Sequence, residues 1–193
     1  MNTKQRRVTW KVGMLAVLGM VGLLSRAEAA STDTIQLRVT PGVVYSVVIT
    51  SADADVAYNF GTVNLNATTL SERPASVQNN GNVVSEWQVS AQGENTWTLG
   101  DSTGSQNVAV LKALFNHTGG AMPIAANYNT VNGSTITGSA KVAENNTLAT
   151  NTAIVTNIPV SDSRALYFML HTPVTSTVGS EQKFRVYVTA VAP

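Results

Sequence analysis

Apolar and polar residues alternate with a period of two along most of this chain. Ile35, Leu37 and Val39 face one way, with Gln36, Arg38 and Thr40 between them. That is the pattern of a half-buried strand. Pro41-Gly42 interrupts it, and Val43, Tyr45, Val47 and Ile49 resume on one face. "SADAD" (51–55) reads as a turn. "VAYNFGTVNL" (56–65) reads as a strand in which Gly61 marks a bend or bulge. "NNGN" (79–82) is a turn signal, because an Asn-Gly pair readily takes positive φ at Gly81. "VAVLKALFN" (108–116) also fits a helical turn, but its β-branched start favours a strand. "MPIAANYN" reads as a further, poorly patterned strand. "ALYFMLHTPV" (165–174) is almost continuously apolar, as a central strand covered on both faces requires. At the end, Phe184, Val186, Val188 and Ala190 alternate with Lys183, Arg185, Tyr187 and Thr189. Roughly nine to eleven short strands separated by turns predict an all-β fold, an antiparallel two-sheet β-sandwich of Ig-like architecture.

Trp87 and Trp97 bear on whether the middle of the chain speaks of fold or of ligand. Trp87 shares its parity with Val83, Val89 and Ala91, and Trp97 shares its parity with Leu99. A hairpin places both indoles on the inner face if its loop has an odd number of residues. Gly93 supplies the permissive backbone in that loop. Their apolar neighbours favour burial, worth roughly 2–3 kcal/mol or more apiece, over an exposed platform for a sugar.

The first residues change the picture of composition. Lys4, Arg6, Arg7 and Lys11 precede the apolar stretch "VGMLAVLGMVGLL" and then "SRAEAA", where Ala27 and Ala29 fit a small-x-small cleavage site. Residues 1–29 read as a secretory signal peptide, and 30–193 as one β-sandwich domain. The apolar stretch falls short of the about 20 residues that a membrane span needs, and no later segment is apolar enough to span. The expected location is extracytoplasmic: periplasm, cell surface or extracellular. The whole chain holds 12 Lys+Arg and 11 Asp+Glu; the leader takes five of the bases and one acid, leaving a net charge of −3. Such a chain lacks the basic footprint of a nucleic-acid binder. It has no cysteine, so its stability comes from packing.

Two stretches, "YNFGTVNLN" and "ASVQNNGNVVSEWQVSA", resemble an F-G…N-x-G…W pattern found in two groups. One is the immunoglobulin-like repeats of the hydin/ASH type; the other is the WxL domain of bacterial cell-surface proteins. The matching residues are Phe60, Gly61, Val77, Asn79, Asn80, Gly81, Trp97 and Leu99. Trp87 begins W-x-V rather than W-x-L, and no second, distal W-x-L follows. The resemblance implies an Ig-like secreted sandwich and, for the WxL group, non-covalent attachment to a cell wall. The chain is also similar to sandwich pilins that exchange a strand, with "STDTIQLRVTP" in the place of the donor. It departs from them in having no cysteine pair, and Ala192 stands where their penultimate aromatic would be.

Candidate chemistry is sparse. Asp53 and Asp55 form a D-x-D that offers two oxygens to calcium, but the rest of a calcium loop is missing, so solvated turn acids are the expected state. His117 and His171 have no metal-ligand spacing. Glu86 and Glu94 flank the expected hairpin as a conceivable glycosidase pair. "GDSTG" (100–104) is no nucleophile motif, because Thr103 interrupts it and G-x-S-x-G is absent. No cofactor and no enzymatic activity are expected. Tyr45 belongs with the core by its neighbours; Tyr128, in "ANYNTVNG", is the candidate for a binding residue that stacks on a glycan. Trp87, Trp97, Gly61 and Gly81 are candidate structural residues. The expected role is that of a structural or adhesive subunit. It would engage protein partners or its own copies through edge strands, with Lys183 and Arg185 guarding the last strand. A carbohydrate-binding module is the competing role.

Overall fold

The computed structural model describes residues 36–51, 58–130, 134–145, 147–149 and 154–193. The chain divides into two units, Met1–Pro41 and Gly42–Pro193. In the first, residues 36–41 have no regular structure despite their alternation, and Leu37 and Val39 are 86% and 89% exposed.

The second unit is built from strands β1 (Val47–Ser51), β2 (Thr68–Leu70), β3 (Ala75–Asn79), β4 (Glu86–Gly93), β5 (Thr98–Leu99) and β6 (Val108–His117). They are followed by helix α1 (Ala125–Thr130) and then β7 (Thr135–Ile136), β8 (Lys141–Val142), β9 (Glu144–Asn145), β10 (Leu148–Ala149), β11 (Ser163–His171) and β12 (Phe184–Val191). A nine-stranded sheet runs in the order β1-β3-β11-β6-β10-β9, with β2 on β11 and with β5 and β7 on β6. A three-stranded sheet runs β12-β4-β8. The fold is mostly β with two sheets, and the larger sheet is mixed rather than wholly antiparallel: β5 and β10 pair with β6 in parallel, and so does β9 with β10. These pieces are two residues long, and no tight turn joins them to β6. Nothing local dictates their direction.

The alternation decides which side chains fill the space between the sheets. Trp87, Val89 and Ala91 of β4 meet Ala109, Leu111, Ala113 and Phe115 of β6 and Leu166, Phe168 and Leu170 of β11 in one apolar cluster. The Trp87 and Phe115 rings lie 5.4 Å apart across it. The other parity of β6 and β11 builds a second cluster on the outer face of the large sheet, from Leu114, Ala165, Tyr167 and Met169. Both faces of β11 are therefore covered, as its unbroken apolar run predicts.

α1 lies in the "MPIAANYN" segment, where the sequence pattern predicts a strand. Asn127 explains the difference. Its Oδ1 accepts from Ile124 N (2.8 Å), while Asn127 N donates to Ile124 O (2.9 Å). This reciprocal cap closes the first turn, and the turn brings Ala125 and Tyr128 onto the outer cluster. The "VAYNFGTVNL" segment is likewise not a strand over residues 58–65. Its Gly61 has φ +70°, and Gly61 N is held by Asn59 Oδ1 at 2.8 Å.

Trp87 and Trp97 are both buried, but not through a hairpin. β4 pairs with β12 and β8, whereas β5 joins β6 in the other sheet. The loop between them crosses from one sheet to the other, and a Cβ on Gly93 would lie 2.1 Å from Trp97 O. The "NNGN" turn is also a crossing, from β3 to β4. Gly81 is required there for space rather than for positive φ: its Cβ would stand 2.4 Å from Val44 O.

Candidate functional site

β1 ends the large sheet and β12 ends the small one. Among the described residues each has a ladder partner on one side only. The orientation of β1 follows from its hydrogen bonds. Asn80 N donates to Ser46 O (3.0 Å) and Asn82 N to Val44 O (3.1 Å). Successive residues of a strand direct their N–H and C=O groups to opposite sides. Those of Tyr45, Val47 and Ile49 consequently face away from β3. Asn79, opposite Val47, confirms the parity: its N–H and C=O pair with Asp162 and Ser161 instead.

Side chains complete this edge. Val47 and Ile49 pack against the core, while Val43, Val44, Tyr45 and Val48 are exposed. No charged residue occurs from Thr40 to Thr50. Side-chain amides bracket the approach to β1. Asn82 Oδ1 accepts from Val44 N (2.8 Å) and its Nδ2 donates to Gly42 O (2.8 Å). Asn79, fully buried, donates from Nδ2 to Val83 O and Ile158 O (2.9 Å each) and accepts from Gly81 N (3.0 Å). Every hydrogen-bonding group of this amide that the crossing needs is thereby used. The sequence pattern marks 79–82 as a turn but gives no sign of this buried hub.

β12 is built differently. Phe184, Val186, Val188 and Ala190 turn inward. Outward stand Arg185, paired with Glu94 at 2.5 Å, then Tyr187 and Thr189. On neighbouring β4, Gln88, Ser90 and Gln92 share this outer face, and Gln92 Nε2 donates to the Tyr187 hydroxyl at 2.7 Å. Lys183, just before the strand, lies 3.6 Å from Glu181.

The remaining candidates separate. Tyr128 is 1% exposed, on α1, and belongs to the outer cluster; it offers no ring to a ligand. Burial pushes its hydroxyl well above the usual tyrosine range, against a hydrogen bond with Ser71. Asp53 and Asp55 lie outside the described residues. Among the described residues no three His, Asp or Glu side chains gather as a metal-binding group. Glu86 opens β4 and Glu94 lies just past its other end, about 27 Å away along the strand direction. Paired glycosidase carboxylates need about 5–9.5 Å, so the strand keeps these two from acting together. Trp97 is a core residue anchored by Nε1 donating to Ser176 Oγ (2.9 Å) and by its N donating to Gln182 Oε1 (2.9 Å). Trp87 Nε1 and Ser85 Oγ are buried with no hydrogen-bond partner among the described residues.

One ion pair escaped the sequence pattern. Arg164 sits in the most apolar strand and is buried. Its Nη1 donates to Asp162 Oδ2 (2.7 Å) and Ser163 O (2.8 Å), and its Nε to Ile154 O. The hydrogen bond from Arg164 holds the Asp162 carboxyl below the ordinary carboxylate range. The pair lies beside β3, where Asn79 N donates to Asp162 O at 3.0 Å.

Comparison with known protein families, with curated proteins and with solved structures returns no match.

Proposed function

We propose that this chain is a non-enzymatic structural or adhesive protein, an Ig-like β-sandwich that is exported and serves as a subunit of an extracytoplasmic surface assembly. The leader pattern in residues 1–29 supports the location. The observation that carries the role is the β1 edge: among the described residues the outward backbone groups of Tyr45, Val47 and Ile49 have no ladder partner, exposed Val44, Tyr45 and Val48 flank them, and residues 40–50 carry no charge. Natural edges that stay unpaired are guarded by Lys, Pro, bulges or a cover. An unguarded edge suits the addition of a strand from a partner. The exposed, alternating segment around Leu37 and Val39 is the strand we assign to it, supplied by a second copy.

The test is size and shape. Residues 30–193 are purified, then followed by light scattering and negative-stain microscopy over a concentration series, beside the same protein lacking residues 30–40. Rods or defined oligomers that vanish with the segment are expected. A strict monomer at every concentration overturns self-assembly.

A further inference from the structure

We infer that the outer face of the β4–β12 pair is a binding site for a neutral, β-linked oligosaccharide, with Tyr187 as its stacking platform. The register sets the arrangement. Tyr187 stands opposite Ser90, Thr189 opposite Gln88 and Arg185 opposite Gln92. Ser90 is small and leaves room over the middle of the pair. The Tyr187 hydroxyl does not stand away from the sheet. It reaches diagonally to Gln92, whose Nε2 donates to it at 2.7 Å. A ring tethered at its tip in this way lies along the sheet and turns one face to water, and Tyr187 is 41% exposed. Diagonal neighbours on one face of an antiparallel pair lie within reach of aromatic side chains.

The chemistry of the surroundings selects the ligand. As an acceptor from Gln92, the Tyr187 hydroxyl keeps its own proton to donate. Gln88, Gln92, Ser90 and Thr189 add amides and hydroxyls that both give and accept hydrogen bonds. The face has one cation, Arg185, and Glu94 neutralises it at 2.5 Å. Glu86, of the same β4 parity and opposite Val191, leaves the far end of the face acidic, which disfavours an anionic ligand. Nor does the face hold a cluster of exposed Leu, Ile, Phe or Met to make the apolar centre of a protein interface; Val142, opposite Gln88, and Val191, opposite Glu86, are the apolar residues at its rim. A pyranose combines an apolar C–H face with hydroxyls around its edge. The ring answers the first and the amides answer the second. β-Linked pyranoses form flat, extended chains that match a face running about 13 Å along β4 from Gln88 to Gln92. The glycan chemistry suggested for Tyr128 by the sequence thus falls to Tyr187, since Tyr128 is buried.

Cellohexaose and chitohexaose are titrated into the leader-free protein by calorimetry and by amide chemical-shift mapping. Saturable binding of at least one is expected, with shifts on residues 86–92 and 184–191. Tyr187→Ala is expected to weaken it at least about tenfold, and Gln92→Ala about two- to tenfold. Tyr187→Phe, which keeps the ring and loses the tether, should fall between the native protein and Tyr187→Ala. These positions are exposed, and unchanged melting curves establish that the variants fold. Ser90→Arg, which fills the space beneath the sugar, should abolish binding. Failure of both sugars to bind at about 10 mM overturns the inference. So does binding that is unaffected by Tyr187→Ala. Neither result bears on oligomerisation through β1.

Discussion

β1 and β12 end their sheets in contrasting chemistry. β12 carries Arg185 within its span and Lys183 just before it, each near a glutamate, and its exposed face is polar. β1 and its approach, residues 40–50, carry no charge and expose three valines and a tyrosine. The two edges are also held by different means. Beyond the ladder of β1 to β3, Asn80 N, Asn82 N and the Asn82 amide hold the approach at residues 42–46, and the buried Asn79 amide braces the crossing behind them. β12 is held by a continuous ladder to β4 from Phe184 to Val191 and by burial of its inner parity. A guarded edge needs only its ladder. An unguarded edge that must present free N–H and C=O groups in a fixed plane needs an anchor behind it, and Asn79 is placed to supply one.

Removing that anchor should have the largest effect. Asn79→Ala leaves Val83 O, Ile158 O and Gly81 N without their side-chain partner in a buried setting. Each buried group left unsatisfied costs about 1–3 kcal/mol, and relaxation recovers part of the sum. A net loss of about 3 kcal/mol is expected, read as a lower denaturation midpoint in urea. Hydrogen exchange should accelerate in β1 and β3 before β12. Equal acceleration in both edge strands would break the contrast drawn between them.

Charging the open edge comes next. Val48 is 37% exposed, so Val48→Lys buries no charge and should shift the melting free energy by only about 0.5 kcal/mol. It places a solvated cation where an incoming strand would lie. Oligomers seen for the native protein should disappear, by light scattering, at the same concentration. Persistence of the oligomers would move the association surface away from β1.

Acid should weaken the β1 side through Asp162. Its folded-state pKa is depressed, chiefly by the hydrogen bond from Arg164. The stability this gives is present above the unfolded carboxylate value and is lost as pH falls through the folded one. The Asp162 side chain is 44% exposed, so screening limits the effect to about 1 kcal/mol or less. Below the ordinary carboxylate range the native protein and Asp162→Asn should converge in stability; near neutral pH the native protein should be the more stable. A constant gap across that range would assign the pair no part in acid sensitivity.

The long periodic stretches were the legible part of this fold. β6, β11 and β12 are each eight residues or more, and their inward and outward parities follow the hydrophobic pattern. Burial of Trp87 and Trp97 followed from parity as well. Pairing did not, because a strand's partner is set by where the chain crosses between layers. Gly81 and Gly93 mark those crossings through close backbone approach, which a sequence does not distinguish from an ordinary turn glycine. Tyr128 was misplaced for a similar reason: one Asn side chain capping a six-residue helix is too local for periodicity to detect. Arg164 stands just before the apolar run 165–174, and nothing in the pattern there shows that its guanidinium turns back to Asp162 and Ile154.

The smallest effect on stability tests the guard on β12. The Arg185–Glu94 pair has side chains 60% and 30% exposed. Such a pair contributes about 0.2–1 kcal/mol and loses most of that in salt. Arg185→Val should therefore hardly move the melting curve; valine also suits a strand, which offsets part of the lost pair. Its consequence lies in association. With the guanidinium gone from beside Tyr187, the free side of β12 loses its charge within the strand and comes to resemble β1. Concentration-dependent association should appear in Arg185→Val even on the Val48→Lys background, where β1 is closed. If the double variant stays monomeric, the charge on β12 is not what keeps that edge unpaired, and the difference between the two edges rests on their backbone geometry instead.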